Sequence, residues 1–360
     1  KHDSNNIVKE ECIMKALFLA GGMGTRLRPL TDHLPKPMVP VMSLPLLERN
    51  ILKLKKYGID EVILSTCYKS HHIENHFGDG SRLGLKIHYL REEIPLGTGG
   101  AIKNAAPYIT ATTIIFNSDI LCEIDFAAML AWHRQKHAVA TIAATRVDNP
   151  TLYGVLEYDS NGYVRSFKEK PAPHEITSHY INAGVYIVEP EMLAEIPSGR
   201  AVSVERETYP DLLQKGYKIA IFKSSSYWLD IGTPEKYLQA HKDILRGRYN
   251  ISECDFTSEH IFTGRGARIH PAARIIPPVY IGENAEIGAF STIGPEVVIG
   301  KQAFIGAGCT ITGSIIWDKA SIENGTRLAD TIVAGHNRIS CYRDYSNTAF
   351  NQESHRPIAI

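Results

Sequence analysis

A glycine-rich segment followed by three cations is the part of this sequence best suited to chemistry. An apolar run, Lys15–Ala20, leads directly into Gly21-Gly22-Met23-Gly24-Thr25. Glycines allow a backbone to approach a ligand closely and to point successive N–H groups at it, an arrangement that suits phosphate. Arg26, Arg28 and Lys36 then supply positive charge for an anionic ligand. The segment therefore predicts a phosphate site at the end of the first strand.

The glycine spacing excludes two common phosphate motifs. It matches neither GxGxxG nor GxxxxGK[ST], so neither a Rossmann dinucleotide site nor a Walker loop is indicated. A strand-to-helix turn with surface charges is the structural alternative, and the loop by itself leaves both interpretations open.

One aspartate at the end of an apolar run could hold a metal ion. Asp119 follows the run TTIIFNS, and an acid at the carboxyl end of a sheet strand points into the crevice where ligands bind. A lone aspartate could instead cap a helix or lie in a loop, but beside a phosphate loop its oxygens suit Mg²⁺. Asp230 lies in YWLDIGT, just before a helix opened by Pro234, and its structural alternative is a capping turn.

The first two thirds of the chain alternate between strand and helix patterns, which predicts an α/β fold with a mainly parallel sheet. The predicted strands are Lys15–Ala20, Glu61–Thr66, Leu85–Leu90, Thr112–Ser118, Val139–Thr145, Ala183–Val188 and Tyr217–Phe222. The predicted helices are Leu46–Tyr57, Gly100–Tyr108, Phe126–His137 and Val204–Lys215. Asn161-Gly162 predicts a hairpin turn between two further strands.

A six-residue period replaces this alternation in the last third. Isoleucine recurs at eight positions spaced six residues apart, and glycine follows five of these isoleucines directly. Such hexapeptide repeats predict a parallel β-helix with the isoleucines stacked inside and the small residues turning the corners. The isoleucines are Ile269, Ile275, Ile281, Ile287, Ile293, Ile299, Ile305 and Ile311. The period loosens after Thr312 and is lost from Tyr342 onward, so a C-terminal tail is expected.

Composition excludes several classes of function. Lysine plus arginine and aspartate plus glutamate both number 39, so the net charge gives no argument for nucleic acid or membrane surfaces. No apolar run reaches the roughly 18 residues of a membrane span. The six cysteines are scattered without a CxxC pair, which favours a reducing, cytoplasmic setting over a disulfide or zinc protein.

The segment LAGGMGTRLRPLTDHLPKP resembles the signature GGxGxRLxPLT…PKP of the sugar-nucleotide pyrophosphorylases, a nucleotidyltransferase family. The resemblance implies that the loop holds the nucleotide, that Arg26 and Lys36 polarise its triphosphate, and that LGTGGA contacts base and ribose. The nucleotide-binding residues implied in this way are Leu19, Ala20, Gly21, Gly22, Gly24, Thr25, Arg26, Gly97 and Thr98.

The same resemblance implies a sugar-phosphate side and a metal pair. The segments YGV, EKP and NAG match the family's sugar-side elements, which assigns Gly154, Glu169, Lys170 and Asn182. Lys170 would hold the sugar phosphate and Glu169 and Asn182 the sugar. Asp119 and Asp230 would bind Mg²⁺; Ser118 stands where the family usually has glycine before the first acid. Arg26, Lys36, Asp119 and Lys170 form the predicted catalytic set.

The predicted reaction joins a nucleoside triphosphate and a sugar 1-phosphate and releases pyrophosphate. The opening of the chain is most similar to mannose-1-phosphate guanylyltransferases, which implies GTP, mannose 1-phosphate and GDP-mannose. Glucose-1-phosphate thymidylyltransferases or adenylyltransferases and heptose-1-phosphate guanylyltransferases share the phosphate chemistry and remain alternatives. A non-catalytic regulatory paralogue that binds nucleotide sugar, and acyl transfer by the β-helix, are alternatives from other classes.

The expected organisation has five parts and a self-associating second domain. Residues 1–13 are expected to be a tag or unstructured extension, 14–246 the catalytic domain, 247–258 a linker, 259–340 a left-handed β-helix and 341–360 a tail. Because the β-helix carries no convincing catalytic group, we expect it to serve assembly of a homo-oligomer, most simply a dimer.

Overall fold

The computed structural model describes residues 15–252, 254–351 and 358–360. The expected extension at residues 1–13 lies outside these ranges. Among the described residues, no helix combines the length and apolar character needed to cross a membrane.

Thirteen strands and seven α-helices lie within residues 15–252. The strands are β1 Lys15–Ala20, β2 Pro40–Val41, β3 Leu44–Pro45, β4 Glu61–Thr66, β5 Lys86–Arg91, β6 Thr113–Asn117, β7 Ile120–Cys122, β8 Ala140–Arg146, β9 Gly154–Tyr158, β10 Val164–Glu169, β11 Tyr180–Val188, β12 Ile219–Ser224 and β13 Trp228–Asp230. The helices are α1 Leu46–Lys55, α2 Ser70–Phe77, α3 Gly97–Asn104, α4 Phe126–Lys136, α5 Pro190–Ala194, α6 Tyr209–Gln214 and α7 Pro234–Leu245.

A nine-stranded sheet organises this part of the chain, and it confirms the predicted α/β fold. Its centre, in the order β6-β1-β4-β5, is parallel throughout, and β12 also pairs in parallel with β8. Strand β11 runs antiparallel to β6 and β8, and the β9–β10 hairpin joins β11 at the edge. Two apolar clusters cover the two faces of the sheet. The carboxyl ends of β1 and β6 therefore lie side by side at one edge.

Most predicted elements match the observed ones to within a few residues. The prediction of a single helix over Val204–Lys215 was wrong in one respect, because its first turn, Val204–Thr208, is a π-helix and only Tyr209–Gln214 is α-helical. Pro210 at the first turn of α6 has no N–H to donate, which removes one regular helical hydrogen bond there. Isolated π-turns of this kind often occur at functional sites.

The last third is a parallel β-helix. Its strands are β14 Ile261–Thr263, β15 Arg268–Ile269, β16 Arg274–Ile275, β17 Val279–Ile281, β18 Glu286–Ile287, β19 Thr292–Ile293, β20 Val297–Ile299, β21 Phe304–Ile305, β22 Thr310–Thr312, β23 Ile315–Ile316, β24 Ser321–Ile322, β25 Arg327–Val333, β26 Arg338–Ile339, β27 Asp344–Phe350 and β28 Ile358–Ala359. Its core is the predicted column of isoleucines joined by valine, alanine and leucine. The left hand of this helix stays a prediction.

The change of period after Thr312 has a simple geometric origin. Early coils pair residues 18 apart, as in Val279 with Val297, whereas later coils pair residues 17 apart, as in Val298 with Ile315. Parallel pairing continues into β27, which lies along β25 from Arg327–Asp344 to Val333–Phe350. The chain expected to form a tail without a period thus adds another coil, which the shortened repeat hides in the sequence.

The glycines of the repeat have a different role from the one expected. A Cβ on Gly288 would lie 2.7 Å from the backbone of Gly306 and Ala307 in the next coil, so this glycine permits close stacking of coils. The residues with left-handed backbone at the corners are instead those two positions after each glycine. Asn284, after Gly282, has φ of 54°, and Phe290, after Gly288, has φ of 61°.

An apolar cluster joins the two halves of the molecule. Tyr237 and Ile244 of α7 pack in one buried group with Ile315, Trp317 and Ile332 of the β-helix. Ion pairs flank the contact: Lys242 Nζ lies 2.5 Å from Asp330 Oδ1, and Arg246 contacts Glu296. Because α7 directly follows the segment that carries Asp230, the β-helix supports one wall of the predicted site.

Candidate active site

A cavity of about 380 Å³ opens at the carboxyl ends of β1 and β6. Ten of the predicted site residues line it: Leu19, Gly21, Gly22, Gly24, Thr25, Arg26, Lys36, Gly97, Thr98 and Asp119. Ala20 is fully buried in the core beneath the loop, so its contribution is to hold β1 in the sheet. The structure thus brings together the glycine loop, the start of α3 and the first acid.

The glycine loop turns sharply at Gly24 into a short 3₁₀ turn, Thr25–Leu27. Gly24 has φ of 63°, and a Cβ there would lie 2.9 Å from Cβ of Lys36 and 3.1 Å from the Thr31 side chain. The Thr31 hydroxyl donates to the Gly24 carbonyl at 2.8 Å and fixes the turn. Only glycine allows both this conformation and the close approach of Lys36 to the loop.

Lys36 and Asp119 form an ion pair inside the cavity. Nζ of Lys36 donates to Oδ2 of Asp119 at 2.5 Å, and the lysine side chain is only 11% exposed. Burial raises the pKa of the Asp119 carboxyl, but the charge and hydrogen bond of Lys36, with Arg26 farther away, lower the pKa by more. Asp119 is therefore held as a carboxylate that can accept a cation.

The two predicted metal acids meet across a two-stranded ladder. Strand β13 pairs antiparallel with β7, so Asp230 stands opposite Ile120. The N–H of Ile231 donates to the Asp119 carbonyl at 2.8 Å. Arg26 reaches the same place: a Cβ on Gly232 would lie 3.0 Å from Asp230 Oδ2 and 3.4 Å from the Arg26 guanidinium. Acids 111 residues apart in sequence thus become close neighbours.

Arg28, the third cation of the loop, does not line the cavity. Its Nε lies 3.4 Å from Asp32 Oδ1 and its side chain is 56% exposed, which is an ordinary surface ion pair.

A second lysine holds the second acid. Lys236 Nζ contacts Asp230 Oδ1 and donates to the Tyr153 hydroxyl at 2.8 Å. The Tyr153 hydroxyl in turn donates to Asp230 Oδ1 at 3.1 Å. Burial lowers the pKa of the Lys236 ammonium, but its bonds to Asp230 and Tyr153 raise it by more, so it stays charged. Neither Lys236 nor Tyr153 is among the residues assigned from sequence.

The predicted sugar-side residues gather on the β9–β10 hairpin. Glu169 pairs with Gly154 across the hairpin, and a Cβ on Gly154 would lie 2.9 Å from Glu169 Oε2. Lys170 follows in left-handed backbone with φ of 51°, and its N–H donates to the Tyr153 carbonyl at 2.9 Å. This conformation turns the chain directly after Glu169, so the two side chains do not follow strand alternation.

Asn182 lies on the neighbouring strand, at an interruption of its register. Pairing between β11 and β8 is irregular from Asn182 to Tyr186, and Gly184 within it has φ of 70°. Asn182 Nδ2 donates to the Tyr186 hydroxyl at 2.7 Å, and its Oδ1 accepts from the Gly184 N–H at 2.9 Å. The interruption of the register therefore leaves the Asn182 amide bonded to Gly184 and Tyr186 of its own strand.

Glu205, in the π-turn, is the site residue that sequence reasoning missed most clearly. Its Oε2 accepts from the Thr98 hydroxyl at 2.6 Å, and its Oε1 accepts from the Tyr186 hydroxyl at 3.2 Å. Burial, together with the charge of Glu205, raises the pKa of the Glu169 carboxyl. Glu205 thus joins the cavity at Thr98 to the sugar-side group of Asn182 and Tyr186.

Two further cavity residues also escaped the sequence analysis. Glu92 accepts from the Ser65 hydroxyl at 2.7 Å and from the Leu96 N–H at 2.8 Å, which fixes the segment before α3. Asn117 lines the cavity two residues before Asp119, and its Oδ1 is buried without a hydrogen-bond partner. Asn117 lies in the same segment, TTIIFNSD, that identified Asp119 as a candidate. A polar residue near the end of an apolar strand is the signal that could have identified it.

The donor set suits a hard divalent ion that arrives with a phosphate ligand. No group of three or more His, Cys, Asp or Glu side chains able to hold a metal occurs in the described ranges. Asp119 and Asp230 supply two carboxylates, and Mg²⁺ commonly binds through one or two carboxylates, several waters and substrate phosphates. The residues present therefore fit such an ion only when a phosphate-bearing ligand completes its shell.

Family comparisons agree with this geometry. The family model described as "Nucleotidyl transferase" matches residues 15–247, and the model described as "GMPPB C-terminal domain" matches residues 261–351. The chain belongs to the nucleotidyl transferase family. The first match covers the sheet and every candidate site residue, and the second covers the β-helix.

Individual relatives support the family assignment over different lengths. The mannose-1-phosphate guanylyltransferase of Mycobacterium tuberculosis is 44% identical over 234 residues, which cover 64% of this chain and 65% of that protein. The match thus spans less than two thirds of that relative. The UTP–glucose-1-phosphate uridylyltransferase of Synechocystis is 33% identical over 341 residues, 89% of this chain and 87% of that protein.

A solved structure resembles the larger part of this chain. HddC from Yersinia pseudotuberculosis, complexed with GMP-PN, is 32% identical with a TM-score of 0.55, and the match covers 63% of this chain and 97% of that one.

Proposed function

We propose that this protein transfers a nucleotidyl group from a nucleoside triphosphate to a sugar 1-phosphate and releases pyrophosphate. The meeting of Arg26, Lys36 and Asp119 around a glycine-lined cavity is the observation that supports it. Transfer of this kind needs alignment and charge neutralisation more than a covalent intermediate. The attacking oxygen belongs to the sugar phosphate, and the departing group is pyrophosphate.

The residues would divide the work by their positions. Arg26 and Lys36 would bind the triphosphate from the loop side and neutralise charge as pyrophosphate departs. Lys170 would hold the sugar phosphate, with Gly154, Glu169 and Asn182 at the sugar. Asp119 and Asp230 would hold Mg²⁺, which when bound screens the negative charge of the phosphate oxygens.

For the substrates, we propose GTP and mannose 1-phosphate, with GDP-mannose as the product. The relative at 44% identity is a mannose-1-phosphate guanylyltransferase, and the HddC structure carries GMP-PN. A uridylyltransferase acting on glucose 1-phosphate is the second candidate, because that relative matches 89% of this chain, including the β-helix. Reactions that use dTTP or ATP with glucose 1-phosphate, or GTP with heptose 1-phosphate, are further alternatives within the same reaction class.

A substrate matrix tests both levels of this proposal. Each of GTP, UTP, dTTP and ATP is combined with mannose, glucose and heptose 1-phosphate in Mg²⁺, and pyrophosphate release is measured. We expect GTP with mannose 1-phosphate to give the highest kcat/KM. Fastest turnover with another pair would refute the substrate assignment only. A folded protein that binds GDP-mannose but releases no pyrophosphate with any pair would favour the regulatory alternative.

We also propose that the protein is a cytoplasmic homo-oligomer, most simply a dimer, assembled with the β-helix. Phe290 and Tyr342 are 77% and 80% exposed at the same corner column of the β-helix, where a second copy of the chain could cover both rings. No disulfide joins the five cysteines of the described residues, in keeping with a reducing compartment. Light scattering on the full chain tests the assembly. We expect twice the monomer mass for the wild type, and a lower mass for the double variant Phe290→Asp with Tyr342→Asp.

A further inference from the structure

Lys236 occupies a place where a lysine is locally unfavourable. It lies in the first turn of α7, where Thr233 caps the helix and accepts from the Lys236 N–H at 3.4 Å. The first turn of a helix carries partial positive charge, so acidic side chains are favoured there and lysine is not. A residue that breaks a local rule at a candidate site points to a role beyond helix formation.

The Lys236 ammonium has a specific position on Asp230. It contacts Oδ1, to which the Tyr153 hydroxyl also donates at 3.1 Å. Oδ2 instead faces Gly232, where a Cβ would lie 3.0 Å away, and the Arg26 guanidinium lies just beyond. The side chains of Lys236 and Asp230 are only 28% and 15% exposed, so the pair is less screened by water than a surface pair.

Each candidate metal acid is therefore paired with a lysine. Lys36 takes one oxygen of Asp119, and Lys236 takes one oxygen of Asp230. The two lysines differ in surroundings, because Lys36 lines the cavity and Lys236 does not. Lys36 is therefore placed to contact a phosphate in the cavity, whereas Lys236 donates to the Tyr153 hydroxyl beside its acid.

We propose that Lys236 is a built-in counter-ion that keeps Asp230 closed to free divalent cations, so that the metal ion enters with the triphosphate. This inference rests on the proposed nucleotidyl transfer. A free ion would obtain only the two carboxylates and would have to displace an ammonium from one of them. An ion that is already bound to phosphate oxygens brings most of its coordinating ligands with it. Its attraction to Asp119 and Asp230 can then offset the free-energy cost of displacing the Lys236 ammonium.

Binding of Mn²⁺ to the nucleotide-free protein tests the role directly, measured by electron paramagnetic resonance and calorimetry. Lys236→Gln removes the competing charge, and Lys236→Met preserves the length of the side chain if the first variant fails to fold. Since a hydrogen bond to a charged group contributes enough to alter an equilibrium by about tenfold, we expect both variants to bind Mn²⁺ about tenfold more tightly.

Two controls separate charge from structure. Lys236→Arg keeps the charge and should bind Mn²⁺ as the wild type does. Lys242→Gln changes a lysine on the same helix whose partner is Asp330, outside the site, and should leave Mn²⁺ affinity unchanged. Unchanged or weaker Mn²⁺ binding in both Lys236→Gln and Lys236→Met would overturn the inference.

A further variant distinguishes failure of this inference from failure of the metal assignment on which it rests. With a non-hydrolysable GTP analogue present, Asp230→Asn should lose Mn²⁺ affinity. If it does not, Asp230 is no metal ligand, and both the metal assignment and this inference are wrong. Loss of affinity in Asp230→Asn with no gain in the Lys236 variants would overturn the inference alone.

Discussion

The backbone N–H of Ile231 donates to the carbonyl oxygen of Asp119 at 2.8 Å, and this bond joins the two segments that carry the candidate metal acids. It continues the β7–β13 ladder by one residue, so that Asp230 and Asp119 lie at its end. The cavity acid and the acid beside α7 are thereby held on a rigid backbone frame, not on separate loops. Rigid placement of charged groups is what transfer between phosphates requires.

Removing charge from the cavity should lower turnover without unfolding the protein. Arg26→Ala and Asp119→Asn should each reduce kcat by about 10²-fold or more, because each removes a charge partner of the transferring group. Asp119→Asn should also weaken the dependence of the rate on Mg²⁺. Pyrophosphate release measured across Mg²⁺ concentrations, with circular dichroism to verify folding, checks both. Wild-type rates at saturating Mg²⁺ would remove either residue from its role.

Glu205 should affect both substrates, since its two oxygens hold Thr98 and Tyr186. Glu205→Gln keeps the size of the side chain, but the uncharged amide has only one oxygen to accept a hydrogen bond where the carboxylate has two. We therefore expect kcat/KM to fall by about tenfold or more for both the nucleotide and the sugar phosphate. Glu207→Gln is the matched control in the same π-turn, where the carboxylate pairs with Arg200 at 2.7 Å and is 40% exposed. An effect of equal size in both variants would indicate damage to the turn instead.

Gly184→Ala should destabilise the protein and disturb the site. The position has φ of 70°, and a Cβ would lie 2.3 Å from Ile120 Cδ1 and 2.8 Å from Asn117 Nδ2. Strain and overpacking together should cost about 2–5 kcal/mol in the free energy of unfolding. Gly199→Ala is the control, with φ of 75° but open space around it, and should cost about 1–2 kcal/mol. Urea unfolding compares the two, and equal losses would refute the steric argument.

Glu48 should contribute stability that is lost in acid. Burial raises the pKa of this carboxyl, but His76 and a bidentate Arg82, with contacts of 2.5 to 3.1 Å, lower it from 4.5 to about 2. A carboxyl with a depressed folded-state pKa stabilises the protein above its unfolded pKa, and this contribution disappears as the pH falls from about 4.5 to about 2.

The measurement is the difference in unfolding free energy between wild type and Glu48→Gln. We expect a loss of about 2–3 kcal/mol at pH 7 that shrinks steadily below pH 4.5. Glu74→Gln, which removes a surface pair with the 67%-exposed Arg91, should cost less than about 1 kcal/mol at every pH. A difference for Glu48→Gln that does not change with pH would contradict the assigned cause.

The sequence predicted which residues of the glycine loop lie together, and they line the cavity, because this part of the site is local in the chain. Gly21 to Lys36 span sixteen residues, and the turn at Gly24 brings the loop and Lys36 together within them. The isoleucine column was visible for the same reason, since each strand of a β-helix repeats its neighbour a fixed number of residues later. When the repeat shortened from 18 to 17 residues, the pattern faded although the coil continued.

The remaining site could not be predicted from local pattern. Glu205 and Lys236 lie in none of the matched segments, and Tyr153 lies in YGV without a role of its own assigned. Thr98 and Glu205 are 107 residues apart in the sequence, and Tyr153 and Lys236 are 83 apart. The same holds for the support of α7 by Trp317 of the β-helix. These contacts join elements that are far apart in the sequence and meet only in the folded chain.

By itself, the sequence determined the chemistry available: a glycine loop with cations, two acids at strand ends and a repeating apolar column. Only the tertiary structure decided which charges face each other. Lys36 pairs with Asp119 and Lys236 with Asp230, while Arg28 pairs with Asp32 at the surface. Residue type and spacing fix local turns and periods. The long-range pair of Lys36 and Asp119 instead requires β1 and β6 to lie side by side in the sheet, which depends on the packing of the whole domain.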